Sequence, residues 1–513
     1  MNLGSTLTNA ALRWPDRCAL VFEGRRWTYG EWNREVNQTA QGFRARGIAK
    51  GDRVATLTYN CPPQVTVFYA LLKLGAVPVP INYRLAPAEV AYIVEDSGAR
   101  MLLFEEALRE RVAPIKTALS SVETFLYVGA RPEADEIAFA RFLEGQSPGE
   151  PVAQVGSADP AFIMYTSGTT GRPKGVLRSH GSEILGSLAM IAECGFRHDD
   201  VMLDNSPLFH IAQLQLQFVP MVQLGATNVI TRGFDVGETL SLVGRERVTV
   251  LHGVPTQLVM LADADLARHD LSSLRVGFFG GGTLADDVAR RCLGLFPEFF
   301  ANIYGSTEAL MVTLCDYRRH PEKLGSVGQA STLMEVRVVD ADDPDRVAPP
   351  GKTGQLIARG PTVMSGYLNL PDQTATGLRH GWYYSGDAAY ADIEGFIYVL
   401  GRLDHTIKSG GENIHPSEVE NVLFAHQGIA DAAVVGVPSR KWGQAVAAAI
   451  VRKDGGLDAA AVDRYCREHS GLAAFKRPRV IVFVDAIPAN PTGKVDRPVL
   501  RERILSLVRG PIE

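Results

Sequence analysis

Along the first 330 positions, short apolar runs alternate with segments whose apolar residues recur at helical spacing. Ala226 to Thr231, Val248 to His252 and Leu274 to Phe279 are apolar on both faces and predict buried strands. Ala70-Leu71-Leu72-Lys73-Leu74-Gly75-Ala76 predicts a helix end stopped by glycine. Val77-Pro78-Val79-Pro80-Ile81-Asn82 then predicts an extended segment, which its prolines confine to a sheet edge or to its ends. The alternation implies α/β layers with largely parallel sheets. After about residue 330 the pattern shortens. Val336 to Val339, Gly354 to Ala358 and Gly395 to Val399 are brief strands between Pro, Gly and Asp turns, as in an antiparallel, barrel-like sheet. From Asp404 a small α+β unit follows, with helices over Ser417 to Phe424 and Ala459 to His469 and strands over Ala432 to Val437 and Ala445 to Val451. The expected division is a large N-terminal domain over 1–402 and a small C-terminal domain over 403–513.

The 513 residues exceed what one compact core holds, which agrees with two or more domains. Hydrophobic residues make up 46% and charged residues 21%, ordinary for a globular chain, and the formal net charge of −5 offers no basic stripe for nucleic acid. Six scattered cysteines form no CxxC pair, so neither a disulfide framework nor a zinc site is expected. No signal peptide and no run of 18 apolar residues is visible, and cytoplasmic residence follows by default.

The richest chemistry lies in Tyr165-Thr166-Ser167-Gly168-Thr169-Thr170-Gly171-Arg172-Pro173-Lys174-Gly175. Glycines let backbone N–H groups approach an anion, the hydroxyls add donors, and Lys174 adds charge, so the loop suits a polyphosphate. It is not the Walker pattern, because Gly168 and Gly171 are two residues apart and Pro173 precedes the lysine. Four further segments carry polar groups at turns: Tyr304-Gly305-Ser306-Thr307-Glu308, Tyr384-Ser385-Gly386-Asp387 with Gly401-Arg402-Leu403-Asp404, Lys408-Ser409-Gly410-Gly411-Glu412, and Pro491-Thr492-Gly493-Lys494. A carboxylate such as Glu308 suits Mg²⁺ beside a phosphate, and Asp387 with Arg402 suits a ribose diol. Each segment alone is more often a solvated turn.

In this order and spacing the five segments closely resemble the adenylate-forming superfamily of acyl-CoA synthetases, luciferases and adenylation domains, from Trp27 to Lys494. The C-terminal part, with Arg440-Lys441-Trp442-Gly443-Gln444 and Phe475-Lys476-Arg477-Pro478, looks most like bacterial aryl-acid CoA ligases such as 4-chlorobenzoate–CoA ligase. The resemblance implies an ATP-dependent acid–CoA ligase that forms acyl-AMP and pyrophosphate, then acyl-CoA and AMP, with ATP, Mg²⁺ and coenzyme A. It places Thr166, Ser167, Gly168, Thr169, Thr170, Gly171 and Lys174 on the β- and γ-phosphates, Thr307 on the α-phosphate, and Glu308 and Thr170 by Mg²⁺. Tyr304, Gly280, Gly281 and Gly282 would line the adenine and acyl pockets, and Asp387 and Arg402 would hold the ribose. Lys494 would bridge the acid carboxylate and the α-phosphate. Asp404 would be the hinge of a mobile C-terminal cap, bringing Lys408, Ser409, Gly410 and Gly411 forward for the thiol step, with Trp442, Phe475, Arg477 and Arg479 near CoA.

His210 would stand beside the acid, either as a general base or in a packing and gating role. Gln213 occupies a position where relatives carry glycine; it would narrow the pocket and offer an amide, pointing to a compact acid with a polar substituent. Val254, Ala309 and Met311 are expected as apolar walls or as ordinary core. The alternatives are a medium-chain fatty acid–CoA ligase, an adenylating enzyme loading a carrier-protein phosphopantetheine, and a non-catalytic nucleotide-binding protein. The expected partners are a small carboxylic acid and CoA, with no nucleic acid and no membrane span; a homodimer is left open.

Overall fold

The computed structural model describes residues 2–166, 172–340, 343, 345–453, 456–468, 472–490 and 494–508. Two largely parallel sheets dominate the first 330 residues. One holds five parallel strands in the order Val77–Pro80, Arg53–Leu57, Ala99–Glu105, Thr124–Val128, Glu136–Ala138. The proline-bearing strand is at its edge, where missing N–H donors break no ladder. The helix before it, Pro62–Leu74, ends at Gly75 in the left-handed region at φ 72°.

The second sheet has nine strands. Its parallel core runs Phe299–Ser306, Val276–Gly280, Val250–Gly253, Val201–Asp204, Thr227–Ile230, Cys18–Phe22, and antiparallel strands close both margins. The three apolar runs picked out by sequence are its central strands, shifted by one or two residues. Trp32, Tyr69 and Phe218, all fully buried, pack edge to face or tilted in the core between the two sheets.

A short hairpin, Pro160–Thr166 with Lys174–Ser179, carries the phosphate-type loop between its strands and pairs on its far side with Gly366–Tyr367. Beyond residue 330, five antiparallel strands form the barrel-like sheet, and bulges between Gln355 and Ile357 and between Ala388 and Ala389 bend its strands. The C-terminal sheet also has five strands, dominated by the hairpin Ile429–Ser439 with Gly443–Arg452. Helices Pro416–Phe424 and Ala459–Glu468 cover one face, and Arg497–Leu507 packs through Leu500 and Ile504 on the other. No helix among the described residues is long and apolar enough to cross a membrane.

Candidate active site

The strand Phe299–Ser306 delivers the segment Tyr304 to Glu308 at the end of the nine-stranded sheet. The turn back into Leu310–Asp316 is tight: a Cβ on Gly305 would lie 1.9 Å from the Leu310 carbonyl oxygen, and Leu310 itself has φ 56°. Thr307 is buried and Glu308 half-buried. The Tyr367 hydroxyl donates to Glu308 Oε1 at 3.0 Å, and the Glu308 carbonyl accepts from Met364 N at 2.6 Å. Lys174 opens its strand opposite Thr166, with its ammonium 5.4 Å from the centre of the same Tyr367 ring. Lys174, Tyr367 and Glu308 therefore converge. Ser167, Gly168, Thr169, Thr170 and Gly171 lie outside the described residues.

Tyr304 Oη donates to Asp387 Oδ2 at 2.5 Å, while Arg402 reaches Asp387 Oδ1 at 3.4 Å and the Ser385 carbonyl at 2.5 Å. Asp387 and Arg402 are cross-strand partners in the barrel-like sheet, so register alone sets them side by side. Gly386, just before Asp387, has φ 74°, and a Cβ there would lie 2.6 Å from the Arg402 guanidinium. Burial pushes the Asp387 carboxyl upward, and Tyr304, Arg402 and Lys494 oppose that shift. Burial likewise lowers His210 to about 4, helped by the positive charges of Lys494 and Arg84. One lysine from the C-terminal region thus acts on both His210 and Asp387. His210 N–H donates to the Pro207 carbonyl, which fixes the backbone, and the ring beside it, Phe209, meets Tyr83 edge to face at 5.2 Å. Gly280 ends the neighbouring strand Val276–Gly280 and Gly281 follows it; a Cβ on Gly280 would stand 2.5 Å from the Ile303 carbonyl oxygen, and Gly281 has φ 80°. Gly282 takes the chain on past Pro255.

One expectation needs correction. Gln213 is fully buried, and its amide is committed within the protein: Nε2 donates to Asp204 Oδ1 at 2.5 Å and Oε1 accepts from Ser206 N at 3.1 Å. It does not offer an amide to an acid. Val254 caps helix Pro255–Ala262 and is exposed, so it is not ordinary core. Ala309 and Met311 are both buried but fall in different cores, Ala309 under the barrel-like sheet and Met311 in the central one. Asp404 lies in a one-turn 3₁₀ segment, Leu403–His405, next to Arg402 at 3.5 Å.

In the C-terminal unit, Lys408 and Ser409 lead into a hairpin whose turn is Gly410 and Gly411, at φ 61° and 91°. Gly410 N–H donates to the Trp442 carbonyl at 2.9 Å, and a Cβ on Gly410 would lie 2.8 Å from the indole. Trp442 and Phe475 are exposed. Arg477 is paired with Asp463, and among the described residues Arg479 bonds backbone, through its N–H to Val446 and its guanidinium to Ala474 at 3.5 Å. Trp442 joins the glycine hairpin; Arg477 is turned away to Asp463.

Sequence reasoning missed Tyr367 and Arg178. Arg178 donates to the Glu308 carbonyl at 3.1 Å and is fully buried. Its signal was present: period-two alternation puts it on the same face as buried Val176.

The AMP-binding enzyme family matches residues 7–368, and the AMP-binding enzyme C-terminal domain matches residues 418–494. A feruloyl-CoA synthase of an Amycolatopsis species is 38% identical over 98% of this chain and 99% of its own length. An indoleacetate–CoA ligase of Aromatoleum aromaticum is 35% identical over 96% of both chains. Among solved structures, an anthranilate CoA ligase in complex with anthranoyl-AMP superposes with a TM-score of 0.91 at 27% identity, covering 99% of this chain and 98% of that one. The o-succinylbenzoate CoA synthetase of Bacillus subtilis with its acyl-adenylate gives 0.87 at 30% identity over 99% of both. Two largely parallel sheets, the hairpin that opens on Lys174, the barrel-like sheet and the C-terminal unit are therefore the architecture of a known class: this chain belongs to the AMP-binding enzyme family and is an AMP-forming acid–CoA ligase that uses ATP and coenzyme A.

Proposed function

We propose that the acid is aromatic and that the described arrangement serves the first half-reaction, adenylation. The observation that carries the adenylation reading is geometric: Lys174 and Glu308 meet at the Tyr367 ring, and Tyr304 and Arg402 hold Asp387, while the charge of Lys494 favours the ionised Asp387 and the neutral His210. A carboxylate attacking the α-phosphate brings two anions together, and a lysine aimed at that point offsets the repulsion as it develops. Carboxylate oxygen bonds to phosphorus, pyrophosphate departs with the bonding pair, and the mixed anhydride has AMP as its next leaving group. A thiol then displaces AMP, so no protein nucleophile is required.

In this reading Lys174 and the preceding loop hold the terminal phosphates, Thr307 the α-phosphate, and Asp387 with Arg402 the ribose. Glu308 fits a divalent cation: one carboxylate oxygen accepts from Tyr367, and the other takes no hydrogen bond among the described residues. When bound, Mg²⁺ supplies charge neutralisation at the phosphates. Residues up to Arg402 form the nucleotide-binding part, and the segment at Asp404 is the pivot on which the C-terminal unit turns. That turn withdraws Lys494 and presents the hairpin Lys408 to Gly411 with Trp442 to CoA. His210, held neutral by burial, flanks the acid without adding a second positive charge. An aromatic acid is supported by the Phe209 ring beside His210, itself packed on Tyr83, and by the feruloyl, indoleacetate and anthranilate relatives.

The test is acid-dependent exchange of labelled pyrophosphate into ATP over benzoates, cinnamates, and short and medium fatty acids, followed by AMP release with CoA or pantetheine. Aromatic acids should support exchange, and CoA should outperform pantetheine. Exchange with alkyl acids alone overturns the aromatic assignment, and no exchange with any acid overturns the reaction.

A further inference from the structure

Near the end of the strand that begins with Lys174, Arg178 enters a buried ion pair. Arg178 and Glu183 both have 0% side-chain exposure. Arg178 Nε donates to Glu183 Oε1 at 2.6 Å, Nη1 to the Glu308 carbonyl at 3.1 Å and Nη2 to the Thr362 carbonyl at 2.7 Å. Ser182 Oγ also donates to Glu183 Oε1, at 3.0 Å. Taking two charges out of water is expensive, and apolar residues of similar volume often fill such a space at no loss of stability. Packing alone therefore does not account for the pair. What a guanidinium adds is a rigid fork, able to hold two carbonyls at once.

The two carbonyls belong to segments that meet around Glu308. Thr362 Oγ1 donates to the Ala309 carbonyl at 3.0 Å, and Met364 N–H donates to the Glu308 carbonyl at 2.6 Å. The same segment runs on to Tyr367, whose hydroxyl holds Glu308 Oε1. Tyr367 is the cross-strand partner of Val176, two residues before Arg178. Two paired strands thereby hold both ends of Glu308, one through Arg178 on the backbone and its neighbour through Tyr367 on the carboxylate.

We propose that Arg178 is a positioning residue for Glu308: its fork, braced by Glu183, sets where the Glu308 carboxylate stands toward the divalent cation that accompanies ATP. This rests on the reading of Glu308 given above. Mg²⁺ demands near-ideal geometry at short distance, so a small displacement of one ligand weakens metal-dependent binding and leaves metal-free nucleotide binding alone. Lysine can still pair with Glu183 but cannot hold both carbonyls.

The experiment is calorimetric titration of the full chain with a non-hydrolysable ATP analogue, with and without Mg²⁺. It compares the parent protein, Arg178→Lys, and the double variant Arg178→Gln/Glu183→Gln, which leaves no lone buried charge. Metal-free affinity should stay within about twofold, while the gain in affinity on adding Mg²⁺ should shrink about 10–100-fold, the range for losing a partner behind a metal ligand. Conversion of a supplied acyl-adenylate to thioester should be spared. Tyr367→Phe, which removes one hydroxyl, should also shrink the Mg²⁺ gain, and its effect should be non-additive with Arg178→Lys because both act through Glu308. An unchanged Mg²⁺ gain, an equal loss with and without metal, or strictly additive effects would each overturn the proposal. If the parent protein bound the analogue with a Mg²⁺ gain yet exchanged no pyrophosphate with any acid, the failure would belong to the reaction assigned above and not to Arg178.

Discussion

Tyr304 donates its phenolic hydrogen to Asp387 across 2.5 Å, joining the last parallel strand of the large sheet to the barrel-like sheet. Arg402 takes the other carboxylate oxygen at 3.4 Å. The carboxylate is thus aimed from two sides before any ribose arrives, which reduces what must be ordered on binding. Tyr304→Phe keeps the ring and removes the donor. A hydrogen bond to a charged group is worth roughly 1.5–3 kcal/mol, so KM for ATP should rise about 10-fold or more. Discrimination between ATP and 2′-deoxy-ATP should narrow at the same time. A raised KM with unchanged discrimination would mean that Asp387 does not read the sugar.

Lys494 is exposed, and among the described residues its hydrogen bonds run through its backbone, with N–H to Asn490 Oδ1 at 3.1 Å and its carbonyl accepting from Asn490 N at 2.8 Å. Such a residue can leave the cleft without breaking a packed core. Lys494→Ala should slow adenylation about 10²–10³-fold, the loss expected for one preorganised donor at a transition state. Thioester formation from a supplied acyl-adenylate should be nearly unaffected. Single-turnover assays of each half-reaction check this, and equal losses in both would show that Lys494 serves both positions of the cap.

Burial depresses several histidines, furthest His180 to about 4, His210 to about 4 and His252 to about 3. For His252 the sign follows from linkage. The unfolded chain binds the proton from its ordinary value of 6.5 downward and the folded chain does not until about 3. Stability from the neutral ring is therefore complete above 6.5 and is lost as pH falls toward the folded value. His252→Phe, which keeps a ring against Phe278, should melt less steeply with acid than the parent protein between pH 6.5 and 4. Parallel thermal melts in that window would reveal it, and parallel curves would show that protonation of His252 is not coupled to unfolding.

The parts of this enzyme legible in sequence were those where local pattern and local chemistry coincide. The apolar runs near 227, 250 and 276 became central parallel strands because only full burial suits them. Asp387 and Arg402 were identified separately, and strand register then made them neighbours. Gln213 misled because a polar residue near a pocket can instead satisfy a buried carboxyl: burial pushes Asp204 well up, and Gln213 is its hydrogen-bond partner. Arg178 and Tyr367 were illegible as a pair because their shared target, Glu308, comes from a distant part of the chain.

Gly305 shows how closely the backbone is built beneath Thr307 and Glu308. An added Cβ would meet the Leu310 carbonyl oxygen at 1.9 Å and its carbon at 2.8 Å, both backbone atoms that cannot swing aside. Gly305→Ala must open the turn, at a cost of about 1–3 kcal/mol by analogy with overpacked cores. Because the turn carries Glu308, adenylation should fall more than the lowered melting temperature alone explains. Gly294 gives the contrast: it lies within helix Asp286–Leu295 with nothing within 4 Å of its Cβ position. Gly294→Ala should raise stability by about 0.5–1 kcal/mol, since alanine loses less entropy in a helix, and should leave both half-reactions intact. Melting temperatures and pyrophosphate exchange for the two variants check the claim, and a well-tolerated Gly305→Ala would mean that the turn beneath Glu308 can relax.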